Sequence, residues 1–276
     1  MKLSIRTLLL LSFLLLTRTA VSQQVWHGGI HMGTGYYQLY NKSDWNADPV
    51  LIYPVKSSAD NWTIGATTAY TWGKHSGLSS GLFYSKNRQE FLKEPDPIGM
   101  NPDPLDYYSI TNEFHYLKLP IKFQYSTNNQ ARHQFLAAAG VQASFLMDYR
   151  EHFLQTSTGF RSEYEWHNKK GTALSPNNGD DSFDRFLYRR LLAGLSGELA
   201  YRLKLPDGWL FTLGVKGEYD LSNAENRKAK NVETGGYWWS SGIKRYGYGG
   251  PVENRPKTHN RAVGLFFSAS IPLDIW

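Results

Sequence analysis

The chain of 276 residues contains no cysteine. This absence excludes disulfide bonds, thiolate metal sites and cysteine nucleophiles. After residue 22 the sequence also lacks any apolar run of 18 or more residues, and its mean hydropathy is −0.47. The part of the chain after residue 22 therefore cannot cross a membrane as helices.

An excess of charge of one sign is also nearly absent. The full sequence has 30 basic and 24 acidic residues, and loss of the first 22 residues with Lys2, Arg6 and Arg18 leaves 27 basic residues against 24 acidic ones. The remaining excess is small and dispersed along the chain. It therefore gives no indication of nucleic-acid binding.

The first 22 residues have the pattern of a secretory signal peptide. Lys2 and Arg6 form a basic start, and residues 8–16 are an apolar run too short to span a bilayer. Ala20-Val21-Ser22 then forms a small-x-small cleavage motif before Gln23. We therefore expect residues 1–22 to be a signal peptide and residues 23–276 to form one exported domain.

Residues 23–276 contain stretches in which apolar and polar side chains alternate. In residues 209–220, Phe211, Leu213 and Val215 share one parity, whereas Thr212 and Lys216 share the other. Because successive side chains of a strand point to opposite faces, such a strand needs an apolar medium on one face and a polar one on the other. The sequence predicts eight strands of this kind, at residues 25–40, 62–72, 77–88, 114–125, 134–149, 188–203, 209–220 and 261–275.

The connections between these strands alternate in length. Residues 73–76, 126–133 and 204–208 are short and rich in turn formers, whereas 41–61, 89–113, 150–187 and 221–260 are long. This asymmetry is typical of bacterial outer-membrane barrels. The predicted fold is all-β: an eight-stranded antiparallel up-and-down transmembrane β-barrel with short periplasmic turns, long extracellular loops and both termini in the periplasm. We expect a Gram-negative outer-membrane location, with outer-membrane lipid and lipopolysaccharide around the barrel.

The two parities predict two different faces. Leucine, isoleucine, valine and aromatic side chains are expected to face lipid, with aromatic girdles that include Trp62 and Tyr149 at the ends of the strands. An eight-stranded barrel is only wide enough to be filled by side chains, so charged residues of the other parity should pair inside it. The predicted lumen charge network is Lys118, Lys122, Arg190, Glu198, Arg202, Lys216 and Glu218. A proton or substrate path through these residues is the alternative.

Two single residues bear on strand regularity and on assembly. Pro120 lies inside a predicted strand and has no N–H group, so a bulge or kink is expected there. Trp276 is a terminal aromatic residue of the kind that barrel-assembly machinery often recognises, which makes that machinery an expected partner.

The residues of the fourth and fifth predicted strands resemble a known family. The segment Tyr116-Leu117-Lys118-Leu119-Pro120-Ile121-Lys122, followed by Ala139-Gly140-Val141, is similar to the PorT-like outer-membrane β-barrel proteins of Bacteroidetes-type bacteria. The resemblance implies an outer-membrane barrel from about residue 24 to the end. Lys118 stands where the family more often has an acidic residue, and the family shares no single activity, so the resemblance implies no function.

The last long connection is the predicted interaction surface. It combines aromatic rings with cations in a segment without alternation, which suits sugars, lipopolysaccharide phosphates or a protein partner. Its candidate residues are Tyr237, Trp238, Trp239, Lys244, Arg245, Tyr246 and Tyr248. The alternative is that Trp238 and Trp239 fold down over the barrel mouth.

Catalytic, cofactor and metal sites are not predicted. His115, His152 and His259 lie near the rim, but no spacing selects a partner for any of them, and H-E-x-x-H does not occur. Residues 177–184 are rich in Asn and Asp but lack EF-hand spacing, so calcium binding stays open. We expect a non-enzymatic structural or surface-interaction protein. A rim-active enzyme and a secreted lipocalin-like barrel with its apolar face inside are the alternatives.

Overall fold

The computed structural model describes residues 25–41, 61–93, 107–157, 160–167, 188–224 and 257–273. These ranges contain nine strands and no helix long and apolar enough to cross a membrane. The strands are β1 (Val25–Asn41), β2 (Asn61–Trp72), β3 (Ser76–Lys93), β4 (Tyr107–Ser126), β5 (His133–Ser157), β6 (Phe160–His167), β7 (Leu191–Lys204), β8 (Leu210–Asp220) and β9 (Thr258–Leu273).

Eight of the strands close into a ring. Every neighbouring pair is antiparallel, in the order β1-β2-β3-β4-β5-β7-β8-β9, and β9 pairs again with β1. The ring satisfies the backbone hydrogen bonds of each strand on both sides, as a structure surrounded by lipid requires. The predicted eight-stranded antiparallel barrel is confirmed.

The two faces of the barrel follow the predicted alternation. Along β8, Leu213 and Val215 are exposed while Thr212, Lys216 and Asp220 are buried. The same alternation runs along β7, where Leu195 and Leu199 are exposed and Ser196 and Glu198 are buried. Apolar side chains cover the outside of the barrel and polar ones fill its interior, the reverse of a lipocalin-like barrel.

The short turns mark the periplasmic end. The turn between β2 and β3 and the turn between β7 and β8 contain Gly73 and Gly208 at φ values of 64° and 85°. A side chain at either position would be strained in this left-handed conformation, so glycine allows the chain to reverse within few residues. The turn between β4 and β5 is bonded to the turn between β2 and β3, because Asn129 N donates to Lys74 O at 2.6 Å.

The sequence did not predict β6. This strand lies inside the predicted 150–187 loop and pairs with the part of β5 that continues beyond the barrel, from Arg150↔His167 to Ser157↔Phe160. β4 likewise begins at Tyr107, seven residues before the predicted start. The extracellular ends of β3, β4 and β5 together with β6 therefore form a four-stranded antiparallel sheet that projects beyond the closed ring.

A bulge or kink was expected at Pro120 on β4, but the irregularity lies elsewhere. The pairing of β4 with β5 shifts between His115 and Tyr116, and the shift leaves Met147 without a partner on β4. At Pro120 the register is unchanged, although the ladder from β3 to β4 is interrupted between Ser80↔Ile121 and Phe83↔Lys118. The bulge therefore lies on β5, near the level where the barrel continues into the projecting sheet.

Candidate functional sites in the lumen and at the rim

A network of buried ion pairs crosses the middle of the lumen. Lys118 Nζ on β4 lies 2.6 Å from Glu218 Oε2 on β8, and Lys216 Nζ lies 2.5 Å from Glu218 Oε1 without the angle of a hydrogen bond. Lys122 on β4 forms a second ion pair with Glu198 on β7. The pairs from β4 to β7 and β8 join strands that are not neighbours, so these side chains reach across the interior of the barrel.

The two arginine residues of the predicted network have different positions. Arg202 is buried toward the periplasmic end, where its Nε lies 3.3 Å from Thr212 Oγ1. Arg190 is exposed just before β7 begins, and its carbonyl accepts a hydrogen bond from Leu146 N at 2.7 Å. Arg190 is therefore not part of the lumen network: its backbone is still bonded to β5, but its side chain is exposed.

A glycine on β5 lets β4 and β5 approach closely beside the Lys122–Glu198 pair. Gly140 on β5 is paired with Lys122 on β4, and a Cβ atom on Gly140 would lie 2.0 Å from Ile121 O and 2.6 Å from Lys122 Cα. Only glycine permits this close approach of the two strands. The Ala139-Gly140-Val141 segment thus has a steric role in the wall beside the Lys122–Glu198 pair.

Above the ion pairs lies a small polar cavity. Asn260 Nδ2 donates to Asp220 Oδ2 at 2.7 Å and to Tyr116 OH at 3.1 Å, while Tyr37 OH donates to Asn260 Oδ1 at 2.6 Å. The cavity is also lined by Lys118 and Glu218. Such a site suits ordered water between fixed polar groups, and it belongs to the same filled interior.

An aromatic cluster fills the extracellular half of the lumen. Phe114 is completely buried and packs edge-on against Tyr188, with ring centroids 4.9 Å apart, and against Tyr149 at 5.0 Å. The other members of the cluster are Tyr37, Leu39, Tyr116, Leu146, Leu192 and Ala224. This cluster is a second layer of packed side chains in the lumen, and the sequence pattern did not predict it. A signal for it is present, since Phe114 and Tyr116 share the parity of Lys118.

Tyr149, predicted in the lipid-facing girdle, lies inside the barrel. It is 2% exposed and belongs to the aromatic cluster. The bulge at Met147 is the physical reason for the difference, because one extra residue reverses the parity of every side chain that follows. The girdle position at the extracellular end is occupied instead by Trp62 and Tyr84, whose ring centroids lie 5.4 Å apart.

The outer wall at the extracellular rim carries a connected group of polar side chains. Tyr84 OH contacts His115 Nδ1, His115 Nε2 lies 2.6 Å from Glu113 Oε1, and Lys86 Nζ lies 2.8 Å from Glu113 Oε2. Burial alone would raise the pKa of Glu113, but the hydrogen bonds and charges of Lys86 and His115 outweigh it and hold that pKa below its ordinary value. Of this group, only His115 stands out in the sequence.

Other features with catalytic or metal-binding potential give no site. Residues 77–81 match G-x-S-x-G, but Ser79 lies inside β3, paired with Ala69 and Lys122, and not at a turn from a strand to a helix. In the described part of the chain, no three His, Asp or Glu side chains converge as metal ligands. The predicted loop surface from Tyr237 to Tyr248, the 177–184 segment and Trp276 lie outside the described residues.

The closed ring, the apolar outside and the charged inside together define the class of protein. A family model described as an outer membrane protein beta-barrel domain matches residues 21–226. The chain belongs to this family. It is an outer-membrane β-barrel. Its outer wall therefore faces lipid, and its two ends face the water on either side of the membrane.

Solved structures of the same general fold are similar to the chain at low sequence identity. Neisserial surface protein A shares 9% identity with a TM-score of 0.32, covering 89% of this chain and 94% of its own. Ail of Yersinia pestis shares 10% at 0.30, covering 88% and 97%, and OprG of Pseudomonas aeruginosa shares 11% at 0.35, covering 90% and 95%. Among curated proteins, no sequence matches the chain.

Proposed function

We propose that this outer-membrane barrel is a closed, non-enzymatic protein that acts in surface interaction through its extracellular part. The observation that carries the proposal is the combination of a filled lumen with a projecting sheet. The Lys118–Glu218 and Lys122–Glu198 pairs and the aromatic cluster around Phe114 occupy the lumen. A barrel filled in this way offers no wide path for solutes. We therefore assign the function to the strands that extend beyond the barrel.

The outer face of the projecting sheet supports a role in contact. His152 Nε2 on β5 lies 2.7 Å from Glu163 Oε1 on β6, and Arg161 and Glu165 lie on the same exposed face. Side chains that protrude on strands are held more rigidly than those on loops. The sheet therefore presents charged groups in a fixed arrangement. The 221–260 connection, with its Tyr237 to Tyr248 segment, is proposed to contribute further contacts to a protein or glycan partner.

An enzyme active at the rim is the second candidate, favoured by one observation. Glu113, His115 and Tyr84 form a chain of hydrogen bonds in which a carboxylate orients an imidazole beside a hydroxyl. These side chains lie on the convex outer wall, however, and a nucleophile needs a cleft that holds its substrate and excludes water. We therefore propose a binding role for this group and no catalytic one.

The finer family assignment is also a proposal. Tyr116 to Lys122 and Ala139 to Val141 support placement among the PorT-like barrels of Bacteroidetes-type bacteria, and residues 1–22 support export by a signal peptide. Barrel-assembly machinery is a proposed partner because of the terminal Trp276, and lipopolysaccharide is a proposed partner because of the outer-membrane location and the cations and aromatic rings of the last long connection. Mass spectrometry of the N-terminal peptide of the purified protein tests the export assignment, and we expect that peptide to begin near Gln23.

Shortening of the β5–β6 hairpin tests the surface role. Residues 153–164 are replaced by Asn-Gly, which joins His152 to Glu165, a pair already in register, through a favoured two-residue turn. Cells that display the wild-type protein or the shortened one are compared for adhesion to surfaces coated with an acidic polysaccharide, a neutral polysaccharide or a protein. A matched control carries Lys74→Gln and Arg132→Gln on the periplasmic turns.

Selective loss of adhesion to one coating in the shortened protein, with the control unchanged, is the expected result. Equal adhesion of all three proteins to every coating would overturn the proposal. Folding of each variant is verified by the difference in gel migration between unheated and boiled samples.

A further inference from the structure

The outer wall of β3, β4 and β5 carries two rows of charged residues directly above the apolar band. Lys86, His115 and Asp148 face one another across the three strands in the first row. In the second row, Glu113 on β4 is paired with Arg88 on β3 and with Arg150 on β5. We call these six residues the rim patch.

The charges of the rim patch leave cations in excess. Lys86, Arg88 and Arg150 are permanent cations, whereas Glu113 and Asp148 are the only carboxylates among the six. Arg150 Nε lies 2.9 Å from Asp148 Oδ2, and the side chain of Arg150 is 44% exposed. That contact uses one of the five N–H donors of a guanidinium, so Arg150 retains the fork-like geometry that suits a phosphate.

The carboxylates hold these cations in place. Glu113 binds Lys86 through one oxygen and His115 through the other. Burial would raise the pKa of Asp148, but the hydrogen bond and charge of Arg150 outweigh it and keep that pKa below its ordinary value. Both carboxylates are therefore ionised at neutral pH and fix the positions of Lys86 and Arg150.

The position of the rim patch in the wall points to its ligand. Trp62 on β2 is paired with Lys86, beside the patch, and its ring lies against that of Tyr84, the next outward position below Lys86 on β3. Further down the wall the outward positions are apolar, including Leu82 and Leu119 at about half exposure. Aromatic residues at this level mark the boundary between hydrocarbon and headgroups. The rim patch thus lies at the level of the headgroups of the outer leaflet.

The opposite wall differs from this side of the barrel. At the extracellular ends of β7 and β8, the outward positions are Leu191, Ala193 and Tyr219, and Arg189 and Arg190 precede β7. The described outward positions of β7 and β8 therefore do not repeat the aromatic pair and the two rows of charges found on β3, β4 and β5.

We propose that the rim patch binds the phosphate-bearing headgroup of an outer-leaflet lipid, with Lys86 and Arg150 contacting the phosphate. Trp62 and Tyr84 then pack against the sugar or glycerol next to that phosphate. Ionic contacts of this kind are strong because a phosphate accepts several charge-assisted hydrogen bonds at once.

The rim patch lies at the base of the projecting sheet, where Arg150 is also paired with His167 on β6, and the inference rests on the binding role proposed above for Glu113 and His115. The shortened β5–β6 hairpin retains these residues, so lipid binding and adhesion through the sheet can fail separately.

The test uses the full-length protein, stripped of lipid in a mild detergent, and lipid A as the probe. Native mass spectrometry measures the affinity for lipid A with both phosphates and for the same lipid without them. The variant Lys86→Gln/Arg150→Gln removes two cations from the rim patch. Lys74→Gln/Arg132→Gln removes two exposed cations from the periplasmic turns and is the matched control.

We expect the rim variant to bind phosphorylated lipid A about thirtyfold more weakly than the wild type, from the usual contribution of two cations near an anionic headgroup. The control and the dephosphorylated lipid should show no such difference. An equal loss in the control would show general attraction of charge, and an equal loss with dephosphorylated lipid would show that phosphate is not recognised. Either result overturns the proposal.

Two further measurements distinguish a lipid site from a site for free anions and from a loss of folding. Inorganic phosphate at the concentration of the lipid should not displace it, and full displacement would overturn the proposal in favour of a free-anion site. Lys86→Arg/Arg150→Lys retains both charges and serves as the folding control, with most of the affinity expected to remain.

The aromatic part of the site has its own variant. Trp62→Leu should weaken lipid binding severalfold, because it removes the aromatic surface but retains an apolar side chain at the membrane boundary. Unchanged affinity would contradict the assigned contact between Trp62 and the headgroup.

Discussion

Lys118 on β4 and Glu218 on β8 meet inside the barrel, with 2.6 Å between Nζ and Oε2. They lie 100 positions apart along the chain, and β5 and β7 lie between their strands in the wall. Lys216 approaches the other carboxylate oxygen of Glu218. One buried carboxylate therefore compensates two buried ammonium groups, which makes Glu218 the centre of the lumen network.

Removal of Glu218 should destabilise the barrel more than removal of either lysine. Glu218→Gln leaves Lys118 and Lys216 without a counter-charge, and loss of one member of a buried ion pair costs roughly 3–5 kcal/mol. Addition of Lys118→Met to the same chain should recover part of the loss, because it removes one uncompensated charge. Urea titrations of folding in lipid vesicles measure each variant. Strictly additive losses would contradict the coupling.

The faces of the barrel are predictable from the sequence because alternation has a period of two and reports burial directly. Val215 and Lys216 lie on the faces predicted in this way. The bulge at Met147 is not predictable, since no local pattern marks it, and the predicted face of Tyr149 is wrong as a result. The pairing of Lys118 with Glu218 depends on the closure of the ring, which brings together residues that share no local signal.

The projecting sheet was also not predicted from the sequence. β6 lies within a long connection, and its sequence alternates, with Phe160, Tyr164 and Trp166 on one parity and the charged residues on the other. At eight residues, however, it is shorter than the roughly 9–11 residues of a strand that spans a membrane. The rim patch could not be predicted from the sequence either, because Lys86, Glu113 and Arg150 become neighbours only through strand pairing.

Wild-type protein in planar bilayers should show no large, steady conductance. Two layers of side chains occupy the lumen, the ion pairs of Lys118 and Lys122 and the aromatic cluster around Phe114 and Tyr149. Phe114→Ala/Tyr149→Ala should also show no channel of porin size, because the layer of ion pairs remains. A steady porin-like current from the wild type would show that these side chains leave an open path through the lumen.

Stability should depend on Glu113 in mildly acidic solution. The pKa of Glu113 in the folded protein lies below its ordinary value of 4.5, so its ionised form stabilises the fold fully above pH 4.5, and this contribution is lost as the pH falls through the lower, folded pKa. Glu113→Gln should therefore reduce stability at pH 7 and change it little in strong acid. Urea midpoints of both proteins between pH 7 and pH 3 measure the difference. Parallel curves would contradict the assigned role of Lys86 and His115.

The orientation of β8 gives the sharpest test of the membrane assignment. Val215 is 47% exposed, and its partners Leu199 and Leu265 on the adjoining strands are 68% and 62% exposed, so all three face lipid near the middle of the wall. Val215→Arg should cost roughly 2–4 kcal/mol, the range for a cation at the bilayer midplane.

Thr212 on the same strand is the control, since it is 4% exposed and faces the lumen. Thr212→Ser retains the hydroxyl that contacts Arg202 and removes only a methyl group, so it should cost about 1 kcal/mol or less. Folding titrations into lipid vesicles compare the two variants. Tolerance of arginine at position 215 would place this face away from lipid, because no hydrocarbon environment accepts a charge at that depth without a large loss of stability.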